Sequence, residues 1–229
     1  MHNSPTAIMT GSGRFFDPLN PKPDDVALED IARGLRRGVT RFNGQLLDPD
    51  ECPHPQSGAS HCMRVARITY WKLAMGALAD TDEITRTLVY VLAALLHDAP
   101  EGYTGDRLGP IKTDADRAME SGVLAAVVEH LVGAEYVDAI LALPSDGVVK
   151  WADLTALAQE ALLYQPGAQV WASPHGCKRI DIAETLHLFH PREGESWDGT
   201  VIAVSSMLLA GVDDQNAAQV IGRLATLMC

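Results

Sequence analysis

Two adjacent polar residues, His97 and Asp98, end the most hydrophobic stretch of the chain, DEITRTLVYVLAALLHDA. Pro100 follows two residues later, so the predicted helix stops here. A buried imidazole or carboxylate needs a hydrogen-bonding partner or an ion, because burying either group alone is unfavourable. For an isolated His-Asp pair, the usual explanation is a hydrogen-bonded histidine followed by a helix-end aspartate.

Two further residues shift the interpretation towards a metal site. His61 lies near the start of the preceding long helical segment, and Asp153 interrupts a later apolar run, VVKWADLTALAQEALL. A mixture of imidazole nitrogens and carboxylate oxygens suits zinc, manganese, cobalt or nickel better than calcium. The sequence therefore predicts one divalent ion bound by His61, His97, Asp98 and Asp153.

Composition favours a helical domain without affinity for nucleic acid. Of the 229 residues, 47% are hydrophobic but only 6% are aromatic, while alanine and leucine are plentiful, which favours packed helices over a β-sandwich. A net charge of −12 argues against a protein that coats nucleic acid, since such proteins use lysine and arginine to replace counterions. The length suits one domain, and we predict an all-α fold.

Hydrophobic periodicity and capping residues locate the predicted elements. Residues 1–23 form an arm, and residues 42–57 and 100–112 form loops. One helix begins at Asp24 and stops near Gly38, and Thr81 or Asp82 caps the helix that ends at His97-Asp98. No strand and no repeat is expected, and residues 1–229 form a single domain in which 166–229 supply C-terminal helices. The other predicted helices span about 57–78, 113–133, 135–142, 148–164, 181–187, 198–211 and 214–228.

The chain shows no signal for secretion or for a membrane. The N-terminal residues lack a basic patch followed by an apolar run, and no stretch approaches eighteen apolar residues. The four cysteines form no CxxC pair and are expected to be free thiols, namely Cys52, Cys62, Cys177 and Cys229. These features predict a cytoplasmic protein.

Several segments resemble the HD-domain metal-dependent phosphohydrolases, most of all the branch of 5′-deoxynucleotidases and related deoxynucleotide hydrolases. The resemblance covers about residues 12–165, and HDAPEGYTGD is its most specific segment. The segments that carry the resemblance are SGRFFDPLNPKPDDVALEDIARGL, RFNG, SGASH, ALLHDAPEGYTGD, GPIK and VKWAD. The resemblance implies an HD-domain helical bundle with the four ligands named above, and relatives of this kind imply a homo-oligomer.

The resemblance also implies an activity. We expect hydrolysis of deoxynucleoside 5′-monophosphates, with a deoxynucleoside triphosphate triphosphohydrolase on the same site as the alternative. An alternative of another class is an inactive nucleotide-sensing module. The partner would be a small deoxynucleotide, and the cofactor would be Zn, Co, Mn or Ni, with Mg also possible at the phosphates.

Roles for six more residues follow from the same resemblance. Glu101 would orient or deprotonate the attacking water, and Asp106 would be a second acid near the phosphate; otherwise they are a loop acid and a turn residue. The substrate contacts would be Arg41, Phe42, Lys112 and Lys150. Without the resemblance, the lysines would be read as surface charges and Phe42 as a core residue.

Overall fold

The structure is a computed structural model that describes residues 4–37, 57–74, 80–107, 111–143, 147–164 and 196–229. The predicted helix near 181–187 lies outside these ranges. Two short strands, β1 (Ile8–Met9) and β2 (Phe15–Phe16), precede the helices, and 3₁₀ turns occupy Pro23–Asp25 and Ala134–Tyr136. The helices are α1 (Leu28–Arg37), α2 (Gly58–Ala74), α3 (Thr81–Leu96), α4 (Glu101–Thr104), α5 (Asp114–Val132), α6 (Val137–Ala142), α7 (Gly147–Tyr164), α8 (Trp197–Ala210) and α9 (Ala217–Met228). The predicted all-α class is confirmed.

Helix α3 is the centre of the packed helices. Every residue from Val91 to Leu96 is fully buried, as expected for a helix that is apolar on all sides. Helix α2 packs against α3 and α7, and α8 packs against α3. Within the described ranges, no helix is long and apolar enough to cross a membrane.

The cap of α3 differs from the prediction by one residue. Asp80, rather than Thr81 or Asp82, is the N-cap, and its carboxylate accepts a hydrogen bond of 2.8 Å from the amide of Glu83. The extended backbone at Asp80 holds the carboxylate over the free amides of the first turn. Asp80, Thr81 and Asp82 are all residue types that cap helices, so the backbone conformation decides which of them is the N-cap.

The N-terminal arm contains a small hairpin, so the expectation of no strand is wrong there. Strands β1 and β2 pair antiparallel, with Ile8 opposite Phe16, and Gly13 adopts φ +82° in the turn. Two-residue strands leave no alternating pattern to detect in a sequence. Phe16 is fully buried and stacks on Tyr103 at a ring-centroid distance of 3.9 Å, which anchors the arm on α4.

Residues 100–112 are not entirely a loop, because Glu101–Thr104 form the single turn α4. Pro100 has helical backbone angles, and proline is well suited to the start of a helix, where its missing N–H has no intrahelical partner to lose. The hydroxyl of Tyr103 accepts from the amide of Ala27 at 2.9 Å and donates to its carbonyl at 3.2 Å. Helix α4 is thereby held against the residues that lead into α1.

Two glycines allow α1 and α4 to touch. A Cβ atom added to Gly34 would lie 1.9 Å from the carbonyl oxygen of Gly102, and one added to Gly102 would lie 2.8 Å from the carbonyl oxygen of Ile31. Real Cβ atoms do not approach backbone atoms so closely. This contact places the turn that carries Glu101.

We expect Gly34→Ala to destabilise the protein by about 1–3 kcal/mol, because the added methyl group must push α4 away from α1. Gly222→Ala is the matched control: Gly222 is exposed in α9, where an added Cβ meets no atom within 4 Å. Alanine there should stabilise the helix by roughly 0.5–1 kcal/mol. Urea unfolding of both variants measures the difference, and equal stabilities would contradict the inferred contact.

Candidate metal centre

His61 is set in the first turn of α2 by a reciprocal cap. The amide of Ser57 donates to the hydroxyl of Ser60 at 3.0 Å, and the amide of Ser60 donates back to the hydroxyl of Ser57 at 3.2 Å. This arrangement is a capping box with serine in both positions. His61 follows directly, and its side chain is fully buried.

His97 lies just beyond the last turn of α3. Its Nδ1 donates to the carbonyl oxygen of Ala94 at 2.7 Å, which satisfies a carbonyl near the helix end. The indole of the buried Trp197, on α8, donates to the next carbonyl, that of Leu95, at 2.8 Å. Both bonds hold the end of α3, so His97 and Asp98 are presented from a fixed backbone.

Asp153 lies in the second turn of α7, where its carboxylate is 20% exposed. Lys150, one turn earlier, donates from Nζ to Asp153 Oδ2 at 2.8 Å while remaining 45% exposed. The two side chains therefore share one face of α7, as positions three apart on a helix do.

The four predicted ligands converge from three helices or helix ends. His61 Nε2 is 3.2 Å from Asp153 Oδ1 and 3.9 Å from Asp98 Oδ2. His97 Nε2 is 3.3 Å from Asp98 Oδ2 and 3.9 Å from Asp153 Oδ1. Donor atoms that bind one ion at about 2.0–2.2 Å lie roughly 3.0–3.5 Å apart. Two of the separations fall in this range and the two of 3.9 Å are slightly wider, so a small inward movement of the side chains would bring the four atoms onto one divalent ion.

The hydrogen bonds at the far side of each ring determine which nitrogen faces the centre. Glu160 accepts from His61 Nδ1 at 2.8 Å, and the Ala94 carbonyl accepts from His97 Nδ1. A neutral imidazole that donates from Nδ1 presents a lone pair at Nε2. With both rings neutral, two lone pairs and two carboxylates meet, so positive charge is needed between them.

The charges of the protein groups agree with this requirement. Burial lowers the pKa of His97, but Asp98 and Cys62 outweigh it and raise that pKa well above its usual value. Burial raises the pKa of Asp153, yet His61, His97 and Lys150 hold it well below its usual range. The groups beside His97 thus favour positive charge at its ring, and the buried Nε2, 3.3 Å from Asp98 Oδ2, makes no well-aligned hydrogen bond with a described residue. His61, His97 and Asp153 form a group that could hold a metal ion.

Glu160 and Arg64 form a buried hydrogen-bonded group behind His61. Neither residue was predicted from the sequence. Glu160 is fully buried, and its Oε1 accepts from both His61 Nδ1 and Arg64 Nη1. A carboxylate behind a metal-binding histidine fixes the ring and increases its basicity. One signal was available: Glu160 follows Asp153 by seven residues, two helical turns, and therefore shares its face.

We expect Glu160→Leu to destabilise the protein by about 3–5 kcal/mol, because it leaves Arg64 as a buried charge without this carboxylate. The double variant Arg64→Met/Glu160→Leu should recover much of that stability, since an apolar pair of similar size replaces the ion pair. Urea unfolding without added metal measures both variants. A single variant as stable as the double variant would contradict this assignment.

Glu101, one turn beyond the ligand pair, is buried and faces a lysine. Its Oε1 accepts from Lys112 Nζ at 3.1 Å, whereas its Oε2 is buried without a partner among the described residues. Burial, together with the charges of Asp98 and Asp106, raises the pKa of Glu101 to about 9. Lys112 also contacts Glu120 at 2.9 Å, so it is shared between two carboxylates. Glu101 is therefore a buried carboxyl group with a raised pKa, three residues beyond Asp98.

The structure describes Asp106 among the remaining predicted site residues. Asp106 is partly buried and close enough to Glu101 to affect its pKa. Arg41 and Phe42 lie outside the described residues. Cys62, which was expected only to be a free thiol, is fully buried against His97, and burial raises its pKa.

No family model matches the chain. The chain is similar to an uncharacterized protein of Rhodobacter capsulatus, with 35% identity over 153 residues. The similarity covers 66% of this chain and 68% of the relative. At that identity and coverage, the chain belongs to the same family as this Rhodobacter capsulatus protein.

Proposed function

We propose that the protein is a metal-dependent phosphohydrolase that removes phosphate from deoxynucleoside 5′-monophosphates. One observation supports this most: each of two buried imidazole nitrogens lies within 3.9 Å of the same two carboxylates across the centre, a donor set that a divalent cation would satisfy. The order of these residues in the chain also matches the HD-domain resemblance. Zinc, cobalt, manganese and nickel fit this donor set.

A divalent ion at this centre would polarise a phosphoryl oxygen and make bound water more acidic. The residues of the chain supply the other requirements. Glu101 Oε2, buried and free of hydrogen bonds from described residues, can hold or accept a proton near the ligand pair. Lys112 keeps the Glu101 side chain oriented through Oε1. Lys150 adds a positive charge at the exposed edge beside Asp153.

The cations near the centre support a monophosphate over a triphosphate. Lys112 is engaged by two carboxylates, Glu101 and Glu120, and this reduces the charge it can offer to a phosphate. Lys150 contacts Asp153 and is 45% exposed. A triphosphate would need more neutralising charge than Lys150 supplies by itself among the residues that the structure describes.

A panel of deoxynucleoside mono-, di- and triphosphates with Mn²⁺, Co²⁺, Ni²⁺, Zn²⁺ or Mg²⁺ tests the proposal by product analysis. We expect inorganic phosphate and deoxynucleoside from the monophosphates. Release of intact triphosphate would favour the triphosphohydrolase alternative. Nucleotide binding without turnover for every metal would favour the sensing module and contradict the proposal.

We expect Lys150→Ala to lower kcat/KM on a monophosphate by roughly one to two orders of magnitude, since a charge-assisted contact contributes about 1.5–3 kcal/mol. Lys72→Ala is the control, because Lys72 lies over the Trp151 ring at 4.9 Å and has no contact with the ligands. Steady-state kinetics on dAMP and dATP compare the two variants. A greater loss on the triphosphate would indicate that the longer substrate is the natural one, and no loss on either would make Lys150 a surface charge.

A further inference from the structure

Cys62 brings a sulfur ligand to the edge of the centre. It follows His61 on α2, and its side chain is fully buried. Its Sγ, a ring nitrogen of His97 and a carboxylate oxygen of Asp98 all lie within 4.8 Å of one another. The ligand atoms of His61, His97 and Asp153 form a second group of the same compactness. Two sets of possible ligands therefore overlap at one residue.

The shared residue is His97, and it has one nitrogen to offer. Its Nδ1 donates to the carbonyl of Ala94, so Nε2 is the atom available to an ion. That atom is buried within a side chain only 8% exposed, and it has no hydrogen bond from a described residue. A buried ring nitrogen, a buried thiol and the Asp98 carboxylate thus lie close enough together to be ligands of one ion.

We propose that Cys62, His97 and Asp98 form a second ion position, selective for thiophilic divalent ions such as Cd²⁺ and Zn²⁺. Thiolate sulfur is a soft ligand and favours these ions over Mn²⁺ or Mg²⁺, whereas the set of His61, His97 and Asp153 contains no sulfur. When the ion binds, the Sγ–H bond of Cys62 breaks, the metal–sulfur bond forms and the proton leaves to solvent. No oxidation or reduction is involved.

The two positions exclude one another, because His97 Nε2 can bind only one ion at a time. A soft ion held by Cys62 would take His97 and Asp98 away from His61 and Asp153. This inference deepens the proposed function and rests on it for the ion site, but it does not depend on turnover. It predicts that the identity of the bound ion changes which ligands are used.

The test uses the full chain with Cys62 as its sole thiol, in the variant Cys52→Ala/Cys177→Ala/Cys229→Ala. Titration with Cd²⁺, without any nucleotide, is followed by the ultraviolet charge-transfer absorption of the cadmium–thiolate bond. We expect this absorption to saturate at about one equivalent and to be absent when Cys62→Ala is added. Titration with Mn²⁺ should produce no such absorption.

A further variant tests whether His97 shares the ion. His97→Ala in the Cys62-only chain should weaken Cd²⁺ binding at least about 100-fold, because loss of even an outer partner of a metal ligand costs roughly 10–100-fold. Absence of the absorption in the Cys62-only chain would overturn the proposal. So would an absorption that His97→Ala leaves unchanged, since Cys62 would then bind without the centre. If the triple variant does not fold, the difference between the unmodified chain and Cys62→Ser decides the same question.

The result of the cadmium titration can be told apart from the result of the hydrolase assay. Cadmium–thiolate absorption in a chain that hydrolyses no nucleotide would support the ion position and contradict the function. Hydrolysis with Mn²⁺ in a chain that lacks the absorption would do the reverse.

Discussion

Asp153→Asn is expected to reduce bound metal from about one ion per chain to a small fraction of that amount, and to abolish most hydrolysis with it. Asp153 Oδ1 lies within 3.9 Å of both imidazole nitrogens, so it is central to the ligand set. Asparagine keeps the shape of the side chain but removes its negative charge and leaves a weaker ligand. We expect the affinity for Mn²⁺ or Co²⁺ to fall at least about 100-fold, measured by equilibrium dialysis and elemental analysis.

Asp138→Asn is the matched control, since Asp138 is exposed on α6 and takes no part in the centre. It should retain full metal content. Asp98→Ala and His61→Ala should each lose metal as Asp153→Asn does. Full occupancy in all three ligand variants would disprove the site.

Glu101→Gln should lower turnover on the order of 10²-fold or more while leaving metal content nearly intact. Glutamine has almost the same size but cannot hold or accept a proton at the position of Oε2. Because this carboxyl group is buried and its pKa is raised to about 9, a neutral side chain should fold without penalty. Single-turnover kinetics, metal analysis and thermal unfolding on one preparation separate these effects.

Glu120→Gln is the control for Glu101, because Glu120 contacts the same lysine, Lys112, from α5. Its effect on turnover should be much smaller, since it lies beyond Lys112 rather than beside the ligand pair. An unchanged rate in Glu101→Gln would return Glu101 to the role of a buried acid paired with Lys112. Equal losses in both variants would assign the effect to Lys112.

The sequence by itself determined the helical class and most helix positions, because helical periodicity and capping are local properties. The most hydrophobic segment of the sequence, which ends at His97, forms α3, the buried centre of the packed helices. Local signals were insufficient where elements are short: the hairpin of the arm and the single turn α4 were both missed. A two-residue strand or a four-residue helix is held by contacts such as that of Phe16 with Tyr103, which lie far apart in the chain.

The sequence also identified the ligand types, since a histidine or aspartate inside an apolar helix needs a partner. Only the tertiary structure decided which atoms meet. His61 and Asp153 are 92 residues apart, and the packing of α2 against α7 sets the 3.2 Å between them. The same packing brings Glu160 behind His61, and the packing of α2 against α3 brings Cys62 to His97. The sequence gives the residues on each helix face, but only the packing of neighbouring helices decides what each face contacts.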